Sequence, residues 1–403
     1  MKILIYGINF SPELTGTGKY SGEMAYWLAN AGQEVRVITA PPYYPEWSVH
    51  ENFSSYKFRK EEGAVITYRC PLYVPSSLSL LKRLFHLTSF ALSSLLPLIR
   101  QKTWKPDCII CIAPTLFCVP GMLLLSKWCN AKSILHIQDY EIDAMLGLEM
   151  VKKGFFSRLA TAYERWCLTN VNLVSTISKS MMKKAIDKGV PEDNVFFFPN
   201  WSEIERFKFI DEESVIQLRR ELNIEVGKKV ILYAGNIGQK QGLETVIDVA
   251  QVMTDSIFLF VGEGGGKEKL ERLSREKKLE NILFKPLQPY EKLPVLLKLA
   301  DCHLVIQRRG AADAVLPSKL TNILAVGGNA VITADEQTEL GQLCLQEPGI
   351  AICVPPESSA QLALGIKQSL GLPKLNLKAQ AYANEFLDKE SILARYLNIL
   401  KNI

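Results

Sequence analysis

Residues 311–333 read AADAVLPSKLTNILAVGGNAVIT. This stretch follows a predicted buried strand at residues 302–306, and Pro317 occupies a predicted first helical position. A short apolar helix follows, Gly327 and Gly328 end it, and an apolar strand comes next. Open α/β sheets bind their ligands at helix starts beyond the carboxyl ends of strands.

The start of this predicted helix favours an anion. Free backbone N–H groups and the positive end of the helix dipole attract negative charge. Ser318 adds a hydroxyl and Lys319 adds a cation. We predict a diphosphate here; an ordinary helix start with a solvated Lys319 is the alternative that spacing alone leaves open.

Predicted strands and helices alternate along the chain in two successive series. The first begins with a strand at residues 2–6, and the second begins with a strand at residues 229–234. A chain of 403 residues is longer than a single domain with one hydrophobic core usually is. We therefore predict an α/β protein of two Rossmann-like doubly wound domains facing a central cleft. The predicted limits are 1–200 for an acceptor domain, 201–378 for a donor domain and 379–403 for helices that pack back across the first domain.

Charge and cysteine content restrict the class of protein. The net charge of +5 is mild, so we predict no nucleic-acid partner. The chain opens directly on a strand, without the pattern of a signal peptide, which predicts a cytoplasmic protein. The nine cysteines are scattered through apolar runs and are predicted to be reduced core residues. The CxxC spacing of Cys108 and Cys111 lies inside an apolar strand, which argues against a redox or metal site.

The most apolar window is LSLLKRLFHLTSFALSSLLPLI, residues 78–99. Its charged residues, among them Lys82 and Arg83, make a spanning helix unlikely to form because each is costly at the bilayer centre. An amphipathic helix in the membrane interface, with the segment extending to Lys105, is one interpretation. A core helix with a solvated basic edge is the other, and the pattern does not decide between them.

Three further loops carry candidate ligand contacts. The loop after the first strand contains Gly16, Thr17 and Gly18, which do not fit the dinucleotide fingerprint and are predicted to admit a ligand closely. In the second series, glycine-bracketed loops occupy residues 235–242 and 262–266. The sequence offers no Asp-x-Asp pair for a divalent ion, so a bound diphosphate would be neutralised by cations. The candidates are Lys240, Arg308, Arg309 and Lys319.

His136 lies on a predicted parallel strand, and Asp139 follows at its carboxyl end. An imidazole and a carboxylate at such an edge are typical of general-base or charge-stabilising chemistry. We predict a functional role for both, with a satisfied core histidine as the alternative.

Six motifs in this order resemble one enzyme family over nearly all 403 residues. They are GINFSPELTGTGKYSGEMAYWLANAGQEVRVIT, SKSMMKKAIDKGVPEDNVFFFPNWSE, YAGNIGQKQGLETVIDVA, VGEGGGKEKL, LQPYEKLP and PSKLTNILAVGGNAVI. The sequence resembles the GT-B glycosyltransferases of family 4, and within it the members that build colanic-acid-type exopolysaccharide.

The resemblance implies transfer of a sugar from a nucleotide diphosphate, with retention at the anomeric carbon and with no metal or other cofactor. It further implies fucose from GDP-fucose, moved onto glucose on undecaprenyl diphosphate by a protein peripheral to the cytoplasmic face of the membrane. Three alternatives stay open: a GT-B transferase using another nucleotide sugar such as a UDP-N-acetyl sugar, a nucleotide-sugar epimerase, and a weakly catalytic scaffold subunit.

These observations give a set of predicted site residues. We predict that His136 and Asp139 orient the sugar or acceptor as the catalytic pair, and that Gly16, Thr17 and Gly18 contact the acceptor. The implied donor contacts are Gly235, Asn236, Lys240, Gly262, Gln288, Arg308, Asp313, Ser318, Lys319 and Asn322. The sequence departs from the family pattern at four positions: Ala314, beside Asp313, and Asn322 replace two glutamates, Asn236 replaces an arginine, and Gln241 replaces a lysine.

Overall fold

The structure is a computed structural model that describes residues 1–13, 16–75, 79–140, 142, 154–238, 241–309 and 318–403. It divides into two compact units. Unit 1 comprises Met1–Pro199 and Leu393–Ile403, and unit 2 comprises Asn200–Ile392. The predicted limits at residues 200 and 378 differ from this division mainly at the C-terminal end, where the chain enters unit 1 at Leu393.

Unit 1 is built on one sheet with helices connecting its strands. The strands are β1 (Lys2–Tyr6), β2 (Glu34–Thr39), β3 (Arg59–Glu61), β4 (Ile66–Arg69), β5 (Cys108–Ala113), β6 (Lys132–Ile137), β7 (Leu173–Thr176) and β8 (Val195–Phe197). The helices are α1 (Gly16–Asn30), α2 (Leu80–Arg100), α3 (Val119–Cys129), α4 (Phe155–Thr169) and α5 (Lys179–Asp187). Turns of 3-10 helix span Leu116–Cys118 and Glu192–Asn194.

The strands of this sheet run in the order β3-β4-β2-β1-β5-β6-β7-β8. Neighbours are parallel except for the β3–β4 pair. All six residues of β5 are buried, as expected for a parallel strand covered on both faces. The next strand in the chain, β2, pairs with one edge of β1, and β5 pairs later with the opposite edge. A topological switch point therefore lies at the carboxyl ends of β1 and β5.

Unit 2 repeats this construction. The strands are β9 (Lys229–Ala234), β10 (Ser256–Val261), β11 (Ile282–Lys285), β12 (Cys302–Val305), β13 (Ala330–Thr333) and β14 (Ile352–Val354). The helices are α6 (Glu205–Lys208), α7 (Glu212–Glu221), α8 (Glu244–Val252), α9 (Lys267–Glu276), α10 (Leu293–Leu299), α11 (Ser318–Ala325), α12 (Glu339–Gln346), α13 (Ser359–Leu370) and α14 (Leu377–Phe386). The last helix, α15 (Lys389–Asn402), begins in unit 2 and belongs to unit 1 from Leu393 onward. A 3-10 turn spans Tyr290–Lys292.

The second sheet is parallel throughout its described strands, in the order β11-β10-β9-β12-β13-β14. Alternate residues of β9 enter opposite cores: Val230 and Leu232 join one hydrophobic cluster, and Ile231 and Tyr233 join the other. The switch point of this sheet lies at the carboxyl ends of β9 and β12. The predicted fold of two Rossmann-like α/β sheets is confirmed.

Helix α2 has an apolar side that the rest of unit 1 does not cover. Ser79 caps the helix by accepting a hydrogen bond from the Lys82 amide at 3.4 Å. Leu87, Phe90 and Leu98 are buried on one side. Seven large apolar residues of this helix are exposed, and the five most exposed are named here the α2 stripe: Leu81, Phe85, Leu92, Leu96 and Ile99. No helix in the described ranges is long and apolar enough to span a membrane.

Candidate active site

Two glycine loops pack against each other at the carboxyl edge of the unit 2 sheet. Gly235 follows β9 with φ +137°, and Gly262 follows β10 with φ +157°. A Cβ atom on Gly262 would lie 1.9 Å from the carbonyl oxygen of Gly235, so only glycine fits this contact. The Gly235 amide donates to the Val261 carbonyl oxygen at 2.9 Å. The absence of side chains on these two glycines lets a ligand approach the backbone closely.

Lys319 reaches this loop from the first turn of α11. Its Nζ donates a hydrogen bond to Tyr233 Oη at 3.1 Å and lies 4.1 Å from the centre of the Tyr233 ring. Tyr233 Oη in turn donates to the backbone oxygen of Asn236 at 2.6 Å. The ammonium is also 3.8 Å from the position that a Cβ atom on Gly235 would take. The fold therefore places Lys319 directly beside the Gly235 loop.

The charge on Lys319 has no carboxylate partner within the part of the chain that the structure describes. Burial lowers the pKa of Lys319 to about 8. A desolvated ammonium held only by a phenol and an aromatic face is stabilised when an anion binds beside it. This is the electrostatic setting that a diphosphate requires.

Unlike Lys319, the predicted cation Arg308, which follows strand β12, pairs with a carboxylate. Its guanidinium donates to both carboxylate oxygens of Glu244 at 3.1 Å. Glu244 also accepts from Lys269 at 2.7 Å. Arg309, the next residue, lies 3.5 Å from an oxygen of Asp335. The positive charge of both arginines is thus partly neutralised within unit 2.

The other predicted donor contacts are dispersed around this edge. Asn322 Oδ1 accepts a hydrogen bond from Ser202 Oγ at 2.8 Å, and Gln288 donates to the Pro286 carbonyl oxygen at 3.1 Å. The side-chain oxygen of Asn236 packs near Gly264. Lys240, Asp313 and the side chain of Ser318 lie outside the described residues. Their contact with a donor stays a prediction.

In unit 1, the predicted acceptor loop folds around a buried carboxylate. Gly16 starts α1 with φ +58°, and Thr17 is partly exposed beside it. A Cβ atom on Gly18 would lie 2.3 Å from Glu13 Oε2. Gly18 is therefore required because Glu13 occupies the space next to it.

Glu13 is satisfied by the chain around it. Its Oε1 accepts hydrogen bonds from the backbone amides of Tyr43 and Tyr44, both at 3.1 Å, and Oε2 accepts from Asn9 at 3.0 Å. Burial raises the pKa of the Glu13 carboxyl, and these hydrogen bonds and Arg69 oppose the increase. Glu13 joins the loop after β1 to the loop after β2. The sequence analysis missed it because one glutamate in a loop has no informative spacing.

Arg69 was also missed, and it anchors the same two loops from the end of β4. Its guanidinium donates to the carbonyl oxygens of Ser11 at 2.6 Å and Ala40 at 3.1 Å. The remaining side of the guanidinium meets Glu61 Oε2 at 3.2 Å. Arg69 thus fixes the backbone from which the acceptor loop departs.

His136 lies inside the sheet rather than at its surface. Its Nε2 accepts a hydrogen bond from Gln138 Nε2 at 2.8 Å, which leaves Nδ1 to donate to Ser175 Oγ at 2.9 Å. Burial lowers the pKa of His136 to about 3. Asp139 is exposed three residues further on. This geometry lets His136 position Gln138, and the predicted catalytic role of the pair stays a prediction.

Thiols and metal-ligating side chains form no centre in the described ranges. Cys108 and Cys111 are fully buried in β5, and burial raises the pKa of both thiols. No group of three or more His, Cys, Asp or Glu side chains among the described residues is arranged to hold a metal ion.

Comparison with known proteins identifies the family. The glycosyl transferase 4-like domain matches residues 15–201, and the glycosyl transferases group 1 model matches residues 214–386. WcaI of Escherichia coli (strain K12), described as a colanic acid biosynthesis glycosyl transferase, is 60% identical over 406 residues, covering 100% of both chains. The chain belongs to this glycosyltransferase family.

Solved structures agree with the GT-B fold of this glycosyltransferase. Sucrose-phosphate synthase from Thermosynechococcus elongatus superposes with a TM-score of 0.77 at 16% identity, covering 100% of this chain and 98% of that one. Anabaena HepE in complex with UDP gives a TM-score of 0.70 at 15% identity, with 100% of each chain covered. At these identities the likeness establishes the fold.

Proposed function

We propose that this glycosyltransferase moves fucose from GDP-fucose onto glucose carried by undecaprenyl diphosphate, with retention at the anomeric carbon and without a metal. Its place is the assembly of a colanic-acid-type exopolysaccharide, which the 60% identity to WcaI supports. The single observation that carries the proposal is the Lys319 ammonium, partly buried beside the Gly235 loop with no carboxylate partner in the described chain.

The donor diphosphate lies against Lys319 and the start of α11. As the bond between the anomeric carbon and the phosphate oxygen breaks, negative charge collects on the departing nucleotide. Lys319 and the helix dipole stabilise that charge, and they do so most strongly where water is excluded. The complex of HepE with UDP supports a nucleotide diphosphate as the ligand on this fold.

The acceptor hydroxyl attacks the anomeric carbon from the face that the nucleotide leaves, so the configuration is retained. Its oxygen forms the new glycosidic bond, and its proton passes to the departing phosphate oxygen. This step needs no general base from the protein, which agrees with a His136 whose two ring nitrogens are both engaged. On the acceptor side, Gly16 is exposed at the start of α1, where a sugar can approach, while Gly18 makes room for Glu13.

The α2 stripe is the proposed contact with the cytoplasmic membrane face. Phe85 and Leu92 are 65% and 69% exposed, and Arg100, Lys102 and Lys105 follow at the end of the helix. An apolar face flanked by cations suits the boundary between acyl chains and anionic head groups. Peripheral attachment there would give the enzyme access to a lipid-linked acceptor.

The test is product formation by purified protein with GDP-fucose, an undecaprenyl-diphosphate-glucose analogue and EDTA. Fucosylated product with a retained anomeric configuration, read by NMR, is expected. A Lys319→Met variant should lose most of the activity, and Lys269→Met, which removes an exposed lysine paired with Glu244, is the matched control.

Two results would revise the proposal. Turnover of a UDP sugar in place of GDP-fucose would keep the transferase and replace the donor. If EDTA abolishes the activity and an added divalent cation restores it, metal independence is refuted.

A further inference from the structure

Unit 1 contains a cavity of about 560 Å³ between α2 and the loops that follow β2 and β4. Ser89 and Ser93 of α2 line one side of it, and Trp47, Tyr56, Leu72 and Tyr73 are among the residues on the other sides. Its volume falls within the roughly 300–1,000 Å³ typical of small-molecule sites. None of the glycine loops described above contributes to its wall, so it is separate from the donor site.

The described lining of this cavity contains no charged residue, and it combines aliphatic and aromatic side chains with the hydroxyls of four serines. Ser93 Oγ donates to the Pro71 carbonyl oxygen at 2.6 Å, and Ser89 Oγ donates to the His86 carbonyl oxygen at 2.9 Å. Ser89 Oγ also accepts from the Tyr73 amide at 3.0 Å. Because both α2 hydroxyls have used their hydrogens, the helix side offers little to a sugar or a phosphate and suits a hydrocarbon.

The cavity borders the α2 stripe. Ser89 lies four residues after Phe85 and three before Leu92, and Ser93 lies three before Leu96. Residues three and four apart are neighbours on a helix surface. The cavity and the stripe are therefore adjacent on the surface of α2, and a chain in the cavity can continue past Ser89 and Ser93 onto the stripe.

The inner wall is also connected to the acceptor loop. His86 contacts the Tyr73 carbonyl oxygen through Nδ1 at 2.7 Å and Tyr43 Oη through Nε2 at 3.0 Å. The Tyr43 amide donates to Glu13 at 3.1 Å, and Glu13 packs against Gly18. A ligand in the cavity thus lies on the same scaffold as the predicted acceptor site.

A cation stands beside this neutral cavity. The Arg83 guanidinium lies 5.2 Å from the centre of the Trp47 ring, and Trp47 is part of the wall. Arg83 and Lys82 precede Ser89 on α2 by two turns or less. An uncharged pocket with aliphatic and aromatic side chains in its wall and cations near it complements a lipid whose hydrocarbon chain ends in a diphosphate.

We propose that this cavity binds the isoprene units of the lipid-linked acceptor that are nearest to its diphosphate. The inference rests on the proposed lipid-linked acceptor and extends it: the enzyme selects the polyprenyl chain itself, in addition to the sugar. The remainder of the chain lies along the α2 stripe toward the bilayer.

The first experiment measures binding of farnesol, a neutral isoprenoid alcohol, by calorimetry in the absence of membranes and donor. Val49, which lines the cavity, is changed to Phe to fill it. Val226, 93% exposed in unit 2, supplies the matched Val→Phe control. We expect saturable binding that V49F weakens at least tenfold and V226F leaves unchanged.

Two outcomes of this experiment would overturn the proposal: absence of farnesol binding, or displacement of farnesol by methyl glucoside, which would assign the cavity to a sugar.

Photolabelling of the wild-type protein with a diazirine-bearing isoprenoid alcohol tests the same assignment without a variant. Labelled peptides should contain Trp47, Tyr73 or Ser89, and labelling confined to other segments contradicts the assignment.

The second experiment separates this inference from the proposed function. Transfer is measured with glucosyl diphosphate acceptors that carry either a farnesyl tail or a methyl group. V49F should raise KM for the farnesyl acceptor about tenfold and leave kcat and the methyl acceptor unchanged. An equal rise in KM for both acceptors refutes a role in tail binding. Farnesol binding without any transfer would refute the proposed reaction and leave the cavity assignment standing.

Discussion

Glu13 in unit 1 and Lys319 in unit 2 are desolvated charges at the edges of their sheets, and their surroundings differ. In unit 1, Glu13 receives hydrogen bonds from two backbone amides and from Asn9. In unit 2, Lys319 contacts the hydroxyl and ring of Tyr233, and no carboxylate of the described chain pairs with it.

The difference separates a structural charge from a binding charge. A buried ion whose hydrogen bonds come from its own chain stabilises the fold that supplies them. A buried cation without a counterion weakens the fold and gains most when an anionic ligand arrives. Glu13 therefore holds the loop after β1 in place, while Lys319 is the residue that we propose binds the donor.

The largest expected effect comes from Lys319→Met. Loss of one charge-stabilising donor at a reacting centre typically lowers kcat about 10²–10³-fold, and we expect a loss in that range. The free energy of unfolding should not fall, because the variant removes a buried charge that lacks a counterion. Steady-state kinetics and urea unfolding measure the two effects. A destabilised variant with normal kcat would reverse the assignment of Lys319.

The next effect concerns the glycine contact that shapes the donor edge. Gly262→Ala places a methyl group against the Gly235 carbonyl oxygen and imposes a backbone conformation that costs about 1–3 kcal/mol. Thermal unfolding should show the loss, and affinity for the donor nucleotide should fall with it. Gly265→Ala is the matched control, because a Cβ atom there meets nothing within 4 Å. Equal effects of the two substitutions would show that the contact is not required.

Glu13→Ala is expected to lower stability. Removing the carboxylate leaves the Tyr43 and Tyr44 amides without their acceptor, and each unsatisfied buried group costs about 1–3 kcal/mol. Urea unfolding should show the decrease, and donor affinity should not change. Glu62→Ala, at an exposed glutamate in the same unit, is the control. A stable Glu13→Ala protein with weakened donor binding would remove the distinction between the two charges.

The smallest effect is the pH dependence of donor affinity. The proposed donor site requires the protonated form of Lys319, whose pKa in the free protein is lowered to about 8. Affinity for GDP should therefore be constant below that pH and fall as the pH rises through it, by at most about tenfold (about 1.4 kcal/mol) per pH unit. Calorimetric titrations from pH 7 to 9.5 measure this. Lys319→Arg, which stays charged, should show a flat profile.

Much of the architecture follows from the order of residues alone. Apolar runs without alternation, such as β5, indicate parallel strands covered on both faces, and glycine after β9 and β10 indicates loops where backbones meet. The family can also be identified from the sequence, because its motifs are short local segments that occur in a fixed order. The doubly wound sheets and the glycosyltransferase family were predicted correctly for these reasons.

Only the tertiary structure shows what two of the four candidate cations contact. Arg308 meets Glu244, 64 residues earlier in the chain, whereas Lys319 meets Tyr233 and pairs with no carboxylate of the described residues. The same holds for Glu13, whose amide partners lie about 30 residues away. Sequence spacing fixes which residues share a face of one helix or strand. The partner of a buried charge depends on how distant strands align and which loops meet at their ends, and that is decided by packing.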